Sequence, residues 1–437
     1  MKLLCWFNIY SMFQKFVRTF LFLQTVYLAT GFSANAQAPG DTLKLTVKQV
    51  EGQFIKNNLQ LIIQHYNIDN ASAQVITARL FPNPDFSFAN GIYANNATDG
   101  PAYKEQSFSI SQLFTTAGKR NKNIQLAKIG VEQTKYQFFD LLRTLKFTLR
   151  SDFYNVYYQR QSAMVYNEEI SSLNKTLTAY KEQYTKGNIA ENELLRIQAQ
   201  LYSLQVEYNN LITGIDTTES QLKLLLRIPP RTAIDPQVTQ ELPGKEILTS
   251  VPYQQLLDSA YVNRYDLRYS KVTVDYNNMN LDLQKATAVP DVSFSLNYDK
   301  LGGYGTNFLG AGIEFNLPFF NRNQGAIKQA KIAVDQSKVQ LQSQQNQVES
   351  DVAVNYKIAA VQEKLYNSFD PKFKQDFTHL VEEVYKNYEK RNISLLEFLD
   401  YYDTYKTNTL LMNGLLLSRV TSLEQLNYVT GTPFFNH

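Results

Sequence analysis

The sequence predicts a mainly helical α+β protein, a tandem repeat of long helical hairpins, each preceded by a β-hairpin. Three observations carry that reading. Residues 118–186 contain no proline, and at 1.5 Å per residue a helix of that length spans roughly 100 Å. The nine-residue run starting at Ala127 returns at Ala330 with six identities and three conservative changes. Four segments of period-two hydrophobicity flank the helices, two before each long helical stretch.

The chain opens on a targeting pattern. Lys2, Lys15 and Arg18 precede an apolar run over 20–32, followed by Ser33-Ala34-Asn35-Ala36. A basic region, a hydrophobic region and a small-x-small site predict a signal peptide over 1–36, cut after Ala36. The single cysteine, Cys5, lies inside it, so the expected mature chain has no disulfide and no lipid-bearing N-terminal cysteine. With those three cations removed, 40 basic side chains face 40 acidic ones. A charge near zero argues against nucleic acid as a partner. The 29 Tyr and 27 Phe, with few Gly and Pro, exclude a disordered chain.

From 42 to 79 the pattern is helical, broken near Asn57-Asn58, and Phe81-Pro82-Asn83-Pro84 stops it. Strands are expected at about 84–94 and 104–115 in the first repeat, separated by a polar loop over 95–101. The second repeat predicts strands at about 290–299 and 307–317. Each alternates apolar residues such as Phe86, Phe88, Phe294 and Leu296 with small or polar ones such as Ser87, Ser109, Ser293 and Gly312. Strands of roughly ten residues with one apolar face match outer-membrane β-barrels. Half-buried strands of a soluble sheet alternate in the same way. The setting favours the membrane: a signal peptide lies upstream, and the helices are too long to cover a small sheet. Tyr93, Tyr103, Phe114, Tyr298, Tyr304, Phe319 and Phe320 fall near strand ends, where an aromatic girdle sits. Four strands cannot close a barrel, and open edges are not tolerated in lipid. Three copies give twelve strands and leave room for a lumen, so the expected assembly is a homotrimer.

The domain organisation follows. The first repeat occupies 37–226, with its helical hairpin over 118–226 turning at Thr185, Lys186, Gly187 and Asn188. Its return arm carries an apolar seam at Leu194, Ile197, Leu201, Leu204, Tyr208, Leu211, Ile215, Thr218, Leu222 and Leu225, stepping by three and four. A proline-rich linker over 227–252 is expected to wrap the helical region. The second repeat occupies 253–437, with its helical hairpin over 324–430 turning near Arg391, Asn392 and Ile393. Pro84-Asp85 likewise returns as Pro290-Asp291. Matches in the same order at nearly constant offset mark an internal duplication.

Catalytic patterns are missing. His65, His379 and His437 have no neighbouring ligand pattern, and neither a nucleophile elbow nor a P-loop appears. The expectation is a protein without metal, cofactor or enzymatic activity.

Pro82-Asn83-Pro84 before a strand, Gly118-Lys119-Arg120 opening the long helix, Tyr184-x-x-Gly187 at the tip and the tandem halves together resemble the outer-membrane efflux protein family of TolC type. The resemblance covers the whole expected mature chain. It implies a trimer with a twelve-stranded β-barrel in the outer membrane, continued by an α-helical barrel across the periplasm. It also implies a passive duct whose tip docks a periplasmic adaptor (membrane fusion protein) and an inner-membrane pump, most similar to branches serving metal- or drug-exporting pumps of the resistance-nodulation-division class. The tips Lys186, Gly187, Asn188, Ile189, Arg391, Asn392 and Ile393 are the expected docking end. Where the family has a second tip glycine, this chain has Arg391.

Glu397 and Asp400, at i and i+3, share one helix face near the expected taper, and the family's aperture is lined by two acids at this spacing. Their counterparts in the first repeat are Glu193 and Arg196. Arg196 or Arg391 is the expected partner that holds the tip shut. Lys119, Arg120 and Lys122 are expected below the membrane, facing anionic headgroups of the outer-membrane lipid. Cations at a helix N-terminus oppose the macrodipole and call for a compensating partner. The other class of function compatible with such hairpins is a soluble periplasmic coiled-coil adaptor or scaffold.

Overall fold

A computed structural model describes residues 42–91, 106–238, 247–302, 305–370 and 372–435. The expected signal peptide, the loop over 95–101, Tyr93, Tyr103, Tyr304 and His437 lie outside the described residues. Two units are present. The smaller groups the residues up to Leu43 with Pro230–Ala233, and the larger comprises Lys44–Pro229 and Ile234–His437.

The N-terminal part holds strand β1 (Thr42–Thr46) and helices α1 (Val47–Asn57) and α2 (Leu59–Arg79). Residues 42–46, read from sequence as helical, are therefore a strand. Thr46 explains the boundary: its hydroxyl and Gln49 form a capping box, which starts a helix at Val47. The break near Asn58 is as expected, because the Asn58 side chain caps α2 through the Leu61 amide and also donates to the Leu225 carbonyl.

Strands β2 (Asp85–Asn90) and β3 (Gln106–Phe114) lead into α3 (Lys119–Thr185), one unbroken helix of 67 residues. Helix α4 (Glu191–Leu226) returns along it. The predicted seam is the buried stripe: Ile197, Leu201, Leu204, Ile215 and Leu222 are almost fully covered, and Leu194, Tyr208, Leu211 and Leu225 pack beside them. The linker contains strand β4 (Ala233–Gln237) and a short 3-10 turn (Leu248–Ser250). Two buried glutamates reach it. Glu219 accepts from the Ile234 amide at 2.9 Å and Glu363 from the Ile247 amide at 3.2 Å.

The second repeat continues with α5 (Tyr253–Asn263), α6 (Tyr265–Thr287), β5 (Val292–Gly302) and β6 (Gly305–Phe315). Its hairpin is not the uninterrupted one expected over 324–430. Helix α7 (Gln324–Ser368) stops before Pro371, α8 (Phe373–Glu389) resumes, and α9 (Leu395–Thr430) returns. The residue before a proline is pushed out of the helical region, and Phe369-Asp370 takes up that break.

The four long strands form one antiparallel sheet in the order β2-β3-β5-β6, which leaves β2 and β6 as edges. Helix packing repeats that order: α2 lies on α3, α3 on α6 and α6 on α7. Farther from the sheet, α4 lies on α3, α3 on α9, and α9 on α7 and α8. Core ionic ties hold the helices together, one of them, Arg150 to Glu424, across the two repeats. Arg150 of α3 bridges Glu51 of α1 and Glu424 of α9, and Arg419, 1 % exposed, is paired with Glu363 across α9 and α7. Removing one member of such a pair strands a buried charge.

Two predictions follow from this packing. Gly187 and Gly431 both have positive φ, at +73° and +67°. A Cβ at Gly187 meets open space, whereas at Gly431 it comes within 3.0 Å of the Asn263 backbone. Gly187→Ala is expected to cost about 1 kcal/mol and Gly431→Ala clearly more. Comparable losses in thermal denaturation would contradict the close approach. Second, Glu169 of α3 is 4 % exposed with its Oε2 unpartnered, and burial pushes its carboxyl up to about 7. A carboxyl raised in the folded state binds more protons than in the unfolded chain, so stability falls as pH rises from about 4.5 through 7. Glu169→Gln is expected to gain on the order of 1–3 kcal/mol over wild type at pH 8 and little at pH 5. Unfolding curves at the two pH values measure it.

Candidate channel wall and hairpin tips

The sheet register sorts the strand residues into two faces. Phe86 lies opposite Ile110, Ile110 opposite Leu296 and Leu296 opposite Ala311, while Phe88, Phe108, Tyr298 and Leu309 form the next row. Most of that face is exposed in the single chain, with Phe86 69 % and Leu309 72 % accessible. The other face carries Ser87, Ser109, Asn297 and Gly310 in one row and Ser111, Ser295 and Gly312 in the next. Gly312 is confined: a Cβ there would lie 2.7 Å from the Ser295 hydroxyl. One side of the sheet is thus greasy and the other small and polar, as the alternation predicted.

Sheet and helices join at a polar knot. Thr116 donates its amide to the Asp291 carboxylate at 2.8 Å and its hydroxyl to the Pro290 carbonyl. Lys119 donates to Asp291 at 2.7 Å and to the Val289 carbonyl. Arg120 donates to the Arg79 carbonyl and stacks 4.0 Å over the Phe81 ring. Lys122 reaches the Ala117 carbonyl at 3.4 Å. The partner that the helix dipole called for is therefore Asp291 and the Arg79 carbonyl, inside the chain. Asp291 was visible in the repeated Pro-Asp pair without being singled out. Its role needed the β3–β5 pairing that sets it beside Lys119.

The two tips share one hydrogen-bond pattern. At the first, Gly187 donates to Tyr184 and Asn188 to Gln183; at the second, Arg391 donates to Tyr388 and Asn392 to Asn387, all at 2.9–3.0 Å. These are Schellman-type closures that need a left-handed residue, and Arg391 adopts φ +61° where the first copy has glycine. Lys186 and Lys390 cap the two preceding helices. Ile393 packs in the cluster formed by Leu173, Leu177, Ile197 and Phe398. A groove of about 790 Å³ runs between the tips, lined by Tyr180, Ile189, Glu193, Tyr388 and Arg391 among others.

Glu397 and Asp400 are exposed on the same side of α9, away from buried Phe398. Glu397 is committed locally. It accepts the Ser394 amide and hydroxyl at 2.8 Å in a capping box, and those bonds hold its carboxyl below the ordinary range. Arg196 is exposed on α4, and Arg391 shares the groove with Glu193 rather than with Glu397 or Asp400. Among the described residues, the ion pairs within one chain join neither arginine to either acid.

A polar cluster around buried Lys406 and Glu169, higher in the hairpins, was missed. Lys406 of α9 pairs with Glu207 of α4 and Asp403 of α9, Tyr166 donates to Glu207, and Glu169 lies nearby. Ordinary charges at helical spacing gave no hint that three helices converge there. Among the described residues no helix is long and apolar enough to cross a membrane, and no group of residues could hold a metal ion.

Known proteins share this architecture. No curated protein matches the sequence. Among solved structures, the CmeC outer membrane channel of Campylobacter jejuni superposes with a TM-score of 0.71 at 17% identity, covering 89% of this chain and 86% of that one. The open-state MtrE outer membrane channel of Neisseria gonorrhoeae gives 0.69 at 15% identity, with 89% of each chain covered. The outer membrane protein VceC of Vibrio cholerae gives 0.68 at 14% identity, covering 89% of this chain and 97% of that one. Family and fold are those of channel proteins. The outer membrane efflux protein profile matches residues 52–226 and 256–367, well over half of the sequence, and this chain belongs to that family of outer-membrane channel proteins.

Proposed function

We propose that three copies of this chain assemble into the outer-membrane duct of a tripartite efflux or type I secretion system. The observation that carries the reading is the sheet: four strands with an apolar outer face and two unpaired edges. Strands β2 and β6 run in opposite directions, so β6 of one copy meets β2 of the next as an antiparallel pair. Head-to-tail contact of this kind closes into a ring, and three copies give a twelve-stranded barrel. The helices carry the same unfilled edges. Ile55, Leu59, Ile62 and Tyr66 form an exposed strip on α1 and α2, and Val354, Ile358, Val361 and Leu365 form one on α7. A soluble scaffold leaves both strips and the outer sheet face unexplained.

In this assembly residues 1–36 are a cleaved signal, and the mature chain carries no lipid. The junction bearing Lys119, Arg120 and Lys122 sits at the inner leaflet, and the hairpins reach into the periplasm. The tips meet a periplasmic adaptor and, through it, a pump of the resistance-nodulation-division class. Glu397 and Asp400 line the far aperture, so a trimer presents six carboxylates that favour cations.

Purified protein inserted into planar bilayers is expected to conduct as a trimer. A detergent-soluble monomer without conductance would refute the duct. Cysteines at Asn188 and Asn392 are expected to crosslink to the adaptor in cells; labelling by impermeant reagents added outside would invert the topology. Neutralising the acids as Glu397→Gln with Asp400→Asn is expected to reduce cation preference and divalent block. Unchanged ion selectivity would remove them from the aperture.

A further inference from the structure

The internal duplication has one contact present once where it should occur twice. In the first strand–helix junction Lys119 binds Asp291, the residue just before β5. The offset of 203 that relates Ala127 to Ala330 carries Lys119 onto Arg322, and the Pro-Asp repeat carries Asp291 onto Asp85. In sequence Arg322 and Asp85 are thus the second cation and the second acid of the motif, although Lys119 opens α3 whereas Arg322 lies two residues before α7 begins. Both side chains are exposed, and among the described residues neither takes part in an ion pair. They cannot meet within one chain, because Asp85 begins edge strand β2 while Arg322 follows edge strand β6, at opposite ends of the sheet.

We propose that Asp85 of one copy binds Arg322 of the neighbouring copy, the between-chain counterpart of the Asp291–Lys119 ion pair. The proposal rests on the ring described above. The geometry favours it on three counts. First, β6 runs antiparallel to β2 of the next copy, as β3 does to β5, so the end of β6 lies against the start of β2. Second, Asp85 and Asp291 stand on the same polar face: Asp85 pairs across the sheet with Ser111, and Ser111 with Ser295, two strand positions from Ser293. Third, the exposed apolar residues around the two sites complement each other. Leu80 and Phe81 precede β2, while Leu317, Phe319 and the 96 % exposed Phe320 follow β6. Covering them by the neighbouring copy excludes water from the ion pair and strengthens it. An arginine in place of lysine adds a planar fork suited to bidentate carboxylate binding.

The test is a charge swap in the full chain, read as the fraction of trimer surviving mild heating in detergent. Asp85→Arg and Arg322→Asp alone are each expected to lower that fraction about two-fold or more, as an ion pair repeated three times per ring would. The double variant is expected to restore it. Should the reversed charges prevent folding, a second pair replaces them: Asp85→Cys with Arg322→Cys in a Cys5→Ser background is expected to give an oxidant-dependent covalent trimer. Wild-type trimer with unaffected single variants, a double variant no better than the singles, or cysteines that never crosslink would overturn the ion pair alone. A wild-type chain that never forms trimer would overturn the ring and the pair together.

Discussion

Unsatisfied backbone is the constraint on which this architecture depends. A sheet of four strands leaves rows of amide and carbonyl groups on β2 and β6, and lipid offers those groups no partner. The order of elements obeys the same demand. The first element of each layer and the last stand at opposite edges, in the sheet and in the helices alike. A repeat that copies one β-hairpin and one helical hairpin therefore builds half of a wall section, and the tandem builds a section with matching ends.

Paired and unpaired buried groups alternate along that section. Around the linker, buried carboxylates are saturated: Glu219 has Arg160, Lys223 and the Ile234 amide, and Glu363 has Arg419 and the Ile247 amide. Such charges hold only when fully paired, so this belt ties both repeats and the linker into one frame. Toward the tips other costs appear. Glu169 has a buried oxygen with no partner, α7 and α8 are separated by the Pro371 break, and Arg391 holds a left-handed conformation that costs a side-chain-bearing residue about 1–2 kcal/mol. These costs are not confined to the tips: Asp152, between Arg150 and Arg160 on α3, also has an unpartnered buried oxygen, and Ala117, Arg227 and Asn323 are left-handed too.

The strand–helix junction shows why charge patterning misleads when read alone. Lys119, Arg120 and Lys122 look like a basic patch offered to a membrane, yet two of the three are held by Asp291, the Arg79 carbonyl and the Phe81 ring. A cation that already satisfies its donors inside the chain has less to give a headgroup. Glu397 behaves in the same way, serving as a helix cap before it can serve an aperture.

Periodicity alone determined a great deal here. The seam from Leu194 to Leu225, the two faces of each strand, the break at Asn58 and the equivalence of the two tips are local properties. Each depends on residues a few positions apart, and the chain expresses them before it folds. Contacts between distant segments were decided by tertiary structure. Residues 42–46 became a strand by pairing with β4, far along the chain, and α7 stopped at a proline whose effect on a long hairpin is ambiguous in sequence. The meeting of Glu169, Glu207 and Lys406, and the hold of Asp291 on Lys119, join positions up to 237 apart in number, and no spacing rule connects them. Side chains of opposite charge are common along any chain. Only the packing of α3, α4 and α9, and of β3 against β5, selects which of them face one another.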